Sequence, residues 1–174
     1  EDLLASEAMG DPVAFGQAQQ ARIGDLIAKA DLSLLPFEEA EDDLIAALGS
    51  DDPMQRLWAV SSCAAFGKAA EELAEKALPL LNDNSPIVRV RAAEFLGSIG
   101  KTDPRETLLD VINTAENHVT ALIALNAVIY FHDHSELAYP LNPDLITFES
   151  KDREIWNRLA YLRGDWLTSK PPKK

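Results

Sequence analysis

The chain has 174 residues, 47% hydrophobic and 26% charged, a balance that folds into one domain with a sizeable core and is too apolar for disorder. Its 29 acidic against 16 basic residues give a formal net charge of −13, which repels a phosphate backbone, so nucleic acid is not an expected partner. No run approaches eighteen apolar residues, the start EDLLASEAMGDP lacks a basic region followed by an apolar one, and a lone cysteine cannot form an internal disulfide; a membrane span, a leader and a disulfide framework are all unexpected.

Residues 1–37 read as an N-terminal helical cap and linker. Within them VAFGQAQQARIGDLIAKADL, Val13 to Leu32, has the spacing of one amphipathic helix with Ile23, Leu26, Ile27 and Ala30 facing inward. From Glu38 the helices come in pairs. EEAEDDLIAALG places Leu44, Ile45 and Leu48 on one face and stops at Gly49. The turn SDDP follows, in which Ser50, Asp51 or Asp52 can cap the next helix and Pro53 can occupy its first turn, and that helix runs to Gly67. The second pair repeats the plan with EELAEKALPLLN, the turn NDNSP and a helix from Ile87 to Gly100; Pro79 should bend or break the first of these. RETLLDVIN, the turn TAEN and HVTALIALNAVIYF make a third pair. Residues 136–174 then hold the proline-punctuated loop LAYPLNPDLITFESKD, a capping helix facing inward through Ile155, Leu159, Leu162 and Trp166, and a tail, KPPKK, expected to be disordered.

Subtracting positions shows that the pairs are copies. Pro86 from Pro53, Arg89 from Arg56, Ala92 from Ala59 and Gly100 from Gly67 all differ by 33, and the third pair follows at 31, with Leu108, Leu109 and Ile112 answering Ala77, Leu78 and Leu81. A period of this length filled by two helices defines a solenoid, so the expected fold is an all-α superhelix of three helix pairs over residues 38–135, closed by helical caps. The unit has an Asp- or Asn-rich turn followed by x-V-R-x-x-A. It is similar to the HEAT repeat family over roughly Glu38 to His134.

The alignment also weighs the candidate sites. Cys63 falls opposite Leu96 and Ala127, a slot that accepts a thiol, an isobutyl group or a methyl, so it reads as packing rather than a reactive centre. Arg56 and Arg89 recur just past the acidic turns SDD and NDN, where each can bond the turn of its own or the neighbouring unit; Thr120 replaces them in the third pair, so this ladder should weaken there. His132, Asp133 and His134 invite a metal, yet His118 lies about 20 Å away along a regular helix and the thiol is already placed in the core, so too few ligands remain. The run EEAEDD lacks the spaced ligands and glycine of a calcium loop and reads as a solvated first helical turn. No nucleophile elbow, phosphate loop or dinucleotide fingerprint occurs, and neither catalytic residues, metal nor cofactor are expected in this chain. Trp58, opposite Arg91 and off the core stripe, is the best single candidate for a contact surface, with Arg91, Arg56 and Arg89 beside it in the repeat.

Four stretches carry a more specific resemblance: LLASEAMGDPVAFG, RIGDLIAKADLS, DDPMQRLWAV and ALNAV. Together they resemble the C-terminal region of a group of bacterial sulfatases, the alkaline-phosphatase-like sulfuric ester hydrolases, in which an S-x-x-x-G-x-x-P stretch and a helix precede a HEAT-like array with V-R-Y-W-A and A-L-N-A-L-D motifs. Gln55, Leu57 and Ile129 depart from those motifs. The resemblance implies a non-catalytic accessory domain packed against a sulfatase catalytic domain, which would hold the calcium ion and the formylglycine made from a C-x-P-S-R motif; a parent of this kind would be periplasmic or secreted. CAAFG around Cys63 lacks the arginine of that motif, so no catalytic residue carries over. Opening at Glu1 without methionine agrees with a piece of a longer chain. The alternative expectation is a free-standing repeat scaffold that binds a protein on the face bearing Trp58 and Arg91.

Overall fold

A computed structural model describes residues 10–137 and 139–164. Among them every regular element is helical, and the helices stack as an all-α repeat array. In chain order they are α1 (Pro12–Ala18), α2 (Gln20–Asp31), α3 (Phe37–Leu48), α4 (Pro53–Phe66), α5 (Ala74–Ala77), α6 (Pro86–Ser98), α7 (Arg105–Asn113), α8 (His118–Asp133) and α9 (Arg153–Leu162). The second helices form a row in which α2 packs on α4, α4 on α6, α6 on α8 and α8 on α9.

The repeated start and stop signals act as their chemistry requires. Pro53 and Pro86 open α4 and α6, where a missing N–H costs nothing, and the Asp52 carboxylate accepts the Met54 N–H at 2.9 Å. Asn117 caps α8 through the Thr120 N–H, and Asp152 caps α9 through the N–H groups of Glu154 and Ile155. Gly67 and Gly100, one period apart, both have positive φ, 57° and 74°, a conformation that residues with a Cβ rarely adopt and that ends each second helix.

The core is a strip in two joined parts. Leu44, Leu48, Val60, Cys63, Leu73, Phe95 and Leu96 belong to the first; Leu108, Ile112, Leu125, Phe131 and Ile155 belong to the second. Helix α6 serves both, giving Val88, Ala92 and Leu96 to one side and Val90 and Ala93 to the other. A helix in the middle of an array has neighbours on two faces, which explains why α6 buries seven residues spread over more than one side and leaves Arg91, Glu94 and Ser98 on the remaining one. At Gly97 the packing is tight enough that a Cβ would come within 2.7 Å of the Phe131 ring and 2.9 Å of Pro104.

The N-terminal segment differs from the sequence expectation in two ways. Val13 to Leu32 is not one helix, since Gln19, at φ −96° and ψ 4°, separates α1 from α2. Nor do Ile23 and Ile27 face inward. They are 38% and 55% exposed, and Leu26 is the buried residue of α2. The repeat supplies the reason: Lys29 stands 34 positions before Cys63, in the core slot, and turns out to pair with Asp43 at 2.9 Å, so α2 seats only a narrow part of its apolar stripe on α4. The first helix of the second pair is broken around Pro79, as its sequence led one to expect, into 3₁₀ helix over Gly67–Leu73 and Leu78–Asn82 with only the short α5 between. Proline lacks the N–H of an α-helix and its ring crowds the carbonyl four residues back, so the chain tightens instead while still burying Ala70, Leu73, Ala77 and Leu80. Trp166 and the tail KPPKK lie outside the described residues.

After α8 the loop crosses the third unit, burying Leu141 and Ile146 in the second part of the core. Asn113 at the end of α7 fixes it from both sides. Its amide donates to the Leu145 carbonyl at 3.1 Å and its oxygen accepts the Thr147 N–H at 2.8 Å.

Candidate interaction surface

Arginines at the starts of the second helices tie one unit to the next. Arg56 donates to both carboxylate oxygens of Asp83, at 2.6 and 2.9 Å, and to the carbonyls of Ser50 and Asp51 in the turn before its own helix, at 2.7 and 3.0 Å. Burial pushes the Asp83 carboxyl up, but the Arg56 hydrogen bonds, the Ser85 N–H and the charges of Arg56 and Arg89 outweigh it and hold the group below its ordinary value. Arg89 makes a single bond of this kind, to Asp110 at 2.7 Å, and its buried Nε finds no partner among the described residues. A rung that the sequence reading missed lies at the other end: Arg22 reaches both oxygens of Asp52, at 3.2 and 3.3 Å. Its signal was the spacing of 34 to Arg56, obscured because the residues around it diverge from the repeat.

Cys63 is fully buried, and burial pushes its thiol up to about 12, so it stays protonated and inert at neutral pH. His132 and His134 do not converge. His132 Nδ1 lies 2.9 Å from Asp133 Oδ1, whereas His134 Nδ1 lies 2.7 Å from the Tyr130 carbonyl oxygen of its own helix. Asp133 Oδ1 also accepts from the Tyr161 hydroxyl at 2.7 Å, which joins α9 to the end of α8. Among the described residues no three His, Cys, Asp or Glu side chains gather as a metal site.

What consecutive second helices do build is a surface groove of about 220 Å³, lined by Ala64 of α4, Glu94 and Ser98 of α6 and Tyr130 of α8. Arg91, one helical turn before Glu94, donates to Glu94 Oε2. Burial pushes the Glu94 carboxyl above its ordinary value, with Arg91 offsetting part of the rise. The Ser98 hydroxyl donates to the Phe95 carbonyl at 2.7 Å, leaving its lone pairs free to accept. The Tyr130 ring is set by an edge contact with Phe131 and a tilted stack on His134, at centroid distances of 5.1 and 4.3 Å, and remains 39% exposed. Trp58 is also 39% exposed on α4 but does not line this groove. The structure therefore bonds Arg91 to a carboxylate that lines the groove, leaves Trp58 as a separate half-exposed aromatic, and commits Arg56 and Arg89 to inter-unit bonds. Glu94 and Tyr130 had no sequence signal as a pair, since they come from different units and different repeat positions.

The stacked helix pairs, the positive-φ stop glycines and the arginine rungs define a helical-repeat solenoid. Compared with known families, the chain matches the HEAT repeats over residues 41–129, about half its length, and it belongs to that family. Neither the curated proteins nor the solved structures compared with the chain give a match.

Proposed function

We propose that this chain is a non-catalytic repeat scaffold that binds a protein segment across the exposed face of α4, α6 and α8. The observation that carries this reading is that three consecutive second helices jointly form a groove with the half-exposed Tyr130 inside it, while Trp58 is a second half-exposed aromatic on α4. Aromatic side chains of this kind supply large contact area at low entropic cost, and HEAT arrays generally work through such surfaces. Peptides selected from a random display library on the wild-type chain test it. Replacing Trp58 or Tyr130 by Ala should weaken selected peptides about tenfold, or about 1.4 kcal/mol, with the array still folded. Peptides indifferent to both changes would place binding elsewhere.

A second reading is an accessory domain of a sulfatase-like hydrolase, supported by the sequence stretches quoted above and by the apolar residues left uncovered at the N-terminal end of the row. Val13, Ile27 and Leu34 are 68%, 55% and 79% exposed there. The comparisons contain no link to sulfatases. On this reading α1 and α2 dock against a catalytic domain that holds the calcium ion, and Ile27→Lys should abolish co-purification with such a domain while leaving the array folded.

A further inference from the structure

The groove between α4, α6 and α8 has a more specific chemistry than a general contact face, and the inference that follows rests on the scaffold reading. Glu94 is a carboxylate whose side chain is only 16% exposed, yet its one recorded ion pair uses a single oxygen. Oε1 has no hydrogen-bond partner among the described residues, and the residue lines the groove. Around it are a hydroxyl able to accept, the aromatic ring of Tyr130 and the methyl of Ala64. An acid, a hydroxyl acceptor and an aromatic ring at the rim of a small apolar groove suit a cation carried on an aliphatic stem. The choice between the two basic side chains follows from geometry. A guanidinium gains most from a carboxylate with both oxygens free, and here Arg91 already occupies one. An ammonium is a point charge with three donors and needs only the free oxygen and the hydroxyl.

We propose that this groove is a lysine pocket: a lysine of a bound protein segment lays its stem over Ala64 and Tyr130 and places its ammonium on Glu94 and Ser98. The net charge of −13 makes the chain attractive to basic segments in general, so the decisive evidence is whether binding depends on this one carboxylate. The incompletely compensated burial of Glu94, which raises its pKa, is the state that a second cation would relieve.

The test is a titration of the 174-residue chain with a tetralysine peptide and, in parallel, tetraarginine and tetraglutamine peptides, followed by NMR at the Ala64 methyl and the Tyr130 ring and by calorimetry. Two matched pairs of variants separate the pocket from bulk charge. Glu94→Gln is compared with Glu39→Gln on the exposed surface of α3, and Arg91→Ala, which removes the competing guanidinium, with Arg153→Ala on exposed α9. The expected result is tetralysine binding that shifts both groove signals, weakens about tenfold in Glu94→Gln but less than twofold in Glu39→Gln, and tightens more in Arg91→Ala than in Arg153→Ala. Equal effects within either pair, a preference for tetraarginine, or shifts confined to other surfaces would overturn the pocket. The scaffold reading has its own readout. Library peptides that need Trp58 and Tyr130 but carry no lysine and ignore Glu94→Gln would overturn the lysine pocket and leave the scaffold face standing; the absence of any peptide needing Trp58 or Tyr130 would overturn both.

Discussion

Cys63 and Leu96 occupy the same slot in adjacent units, and both are fully buried, but they fill it with different volumes. Ala127 fills the slot in the third unit, so the fold tolerates a methyl there. Cys63→Ala is therefore expected to cost only about 1 kcal/mol, whereas Leu96→Ala removes more buried side chain and leaves a larger void, costing about 2–5 kcal/mol. Urea unfolding of the two variants checks the contrast; equal losses would mean that the units are aligned out of register. Gly97 tests the opposite limit. With the Phe131 ring and Pro104 already within 3 Å of where a Cβ would lie, Gly97→Val is expected to destabilise by about 1–3 kcal/mol although it replaces a glycine inside a helix. A melting temperature at or above the wild-type value would show that Phe131 moves aside freely.

At the scale of elements, the second helices were legible because they carry a start proline, a stop glycine and a core stripe at a fixed spacing. Helix α2 was misread for an instructive reason. Periodicity reports which residues share a face, and Ile23, Leu26 and Ile27 do, but it does not report whether a neighbour covers that face; Lys29 in the core slot was the available clue. The links between elements carry a pH signature. Asp52 and Asp83 both sit below their ordinary values in the folded state, burial being outweighed by arginine and backbone N–H bonds. Their stabilisation is thus complete above the unfolded carboxyl pKa of about 3.9 and is lost as pH falls through the lowered folded values. Glu94, raised by burial, runs the other way: it favours folding while protonated, and that preference is lost as pH rises through its folded value. Asp83→Asn isolates the first effect. It should cost about 1.5–3 kcal/mol at pH 7, and the gap to wild type should narrow as pH falls below the unfolded carboxyl value of about 3.9 and through the lowered folded one. A gap independent of pH would assign the loss to packing instead of charge.

For the whole molecule, the architecture was readable from subtraction alone, since Pro53, Arg56, Ala59 and Gly67 recur 33 residues on, and the family match covers the same region. The candidate site was far less legible. Glu94 and Tyr130 meet only because α6 and α8 pack side by side, and no repeat position relates them, so their groove belongs to the stacking and not to any one unit. The arginine rungs also give the array a polarity. Each rung runs from an arginine to an acid further along the chain, from Arg22 to Asp52, Arg56 to Asp83 and Arg89 to Asp110. Trimming from the front takes away the arginine and leaves an acid such as Asp52 or Asp83 still bonded to the N–H of Met54 or Ser85 at a helix start. Trimming from the back takes away the acid: Arg56 would keep the carbonyls of Ser50 and Asp51, whereas Arg89, its buried Nε already without a partner among the described residues, would keep no such bond, the costlier remnant. A form cut before α4, which loses Arg22, should therefore survive better than one cut behind α6, which loses Asp110, and this makes the third unit the keystone of the stack.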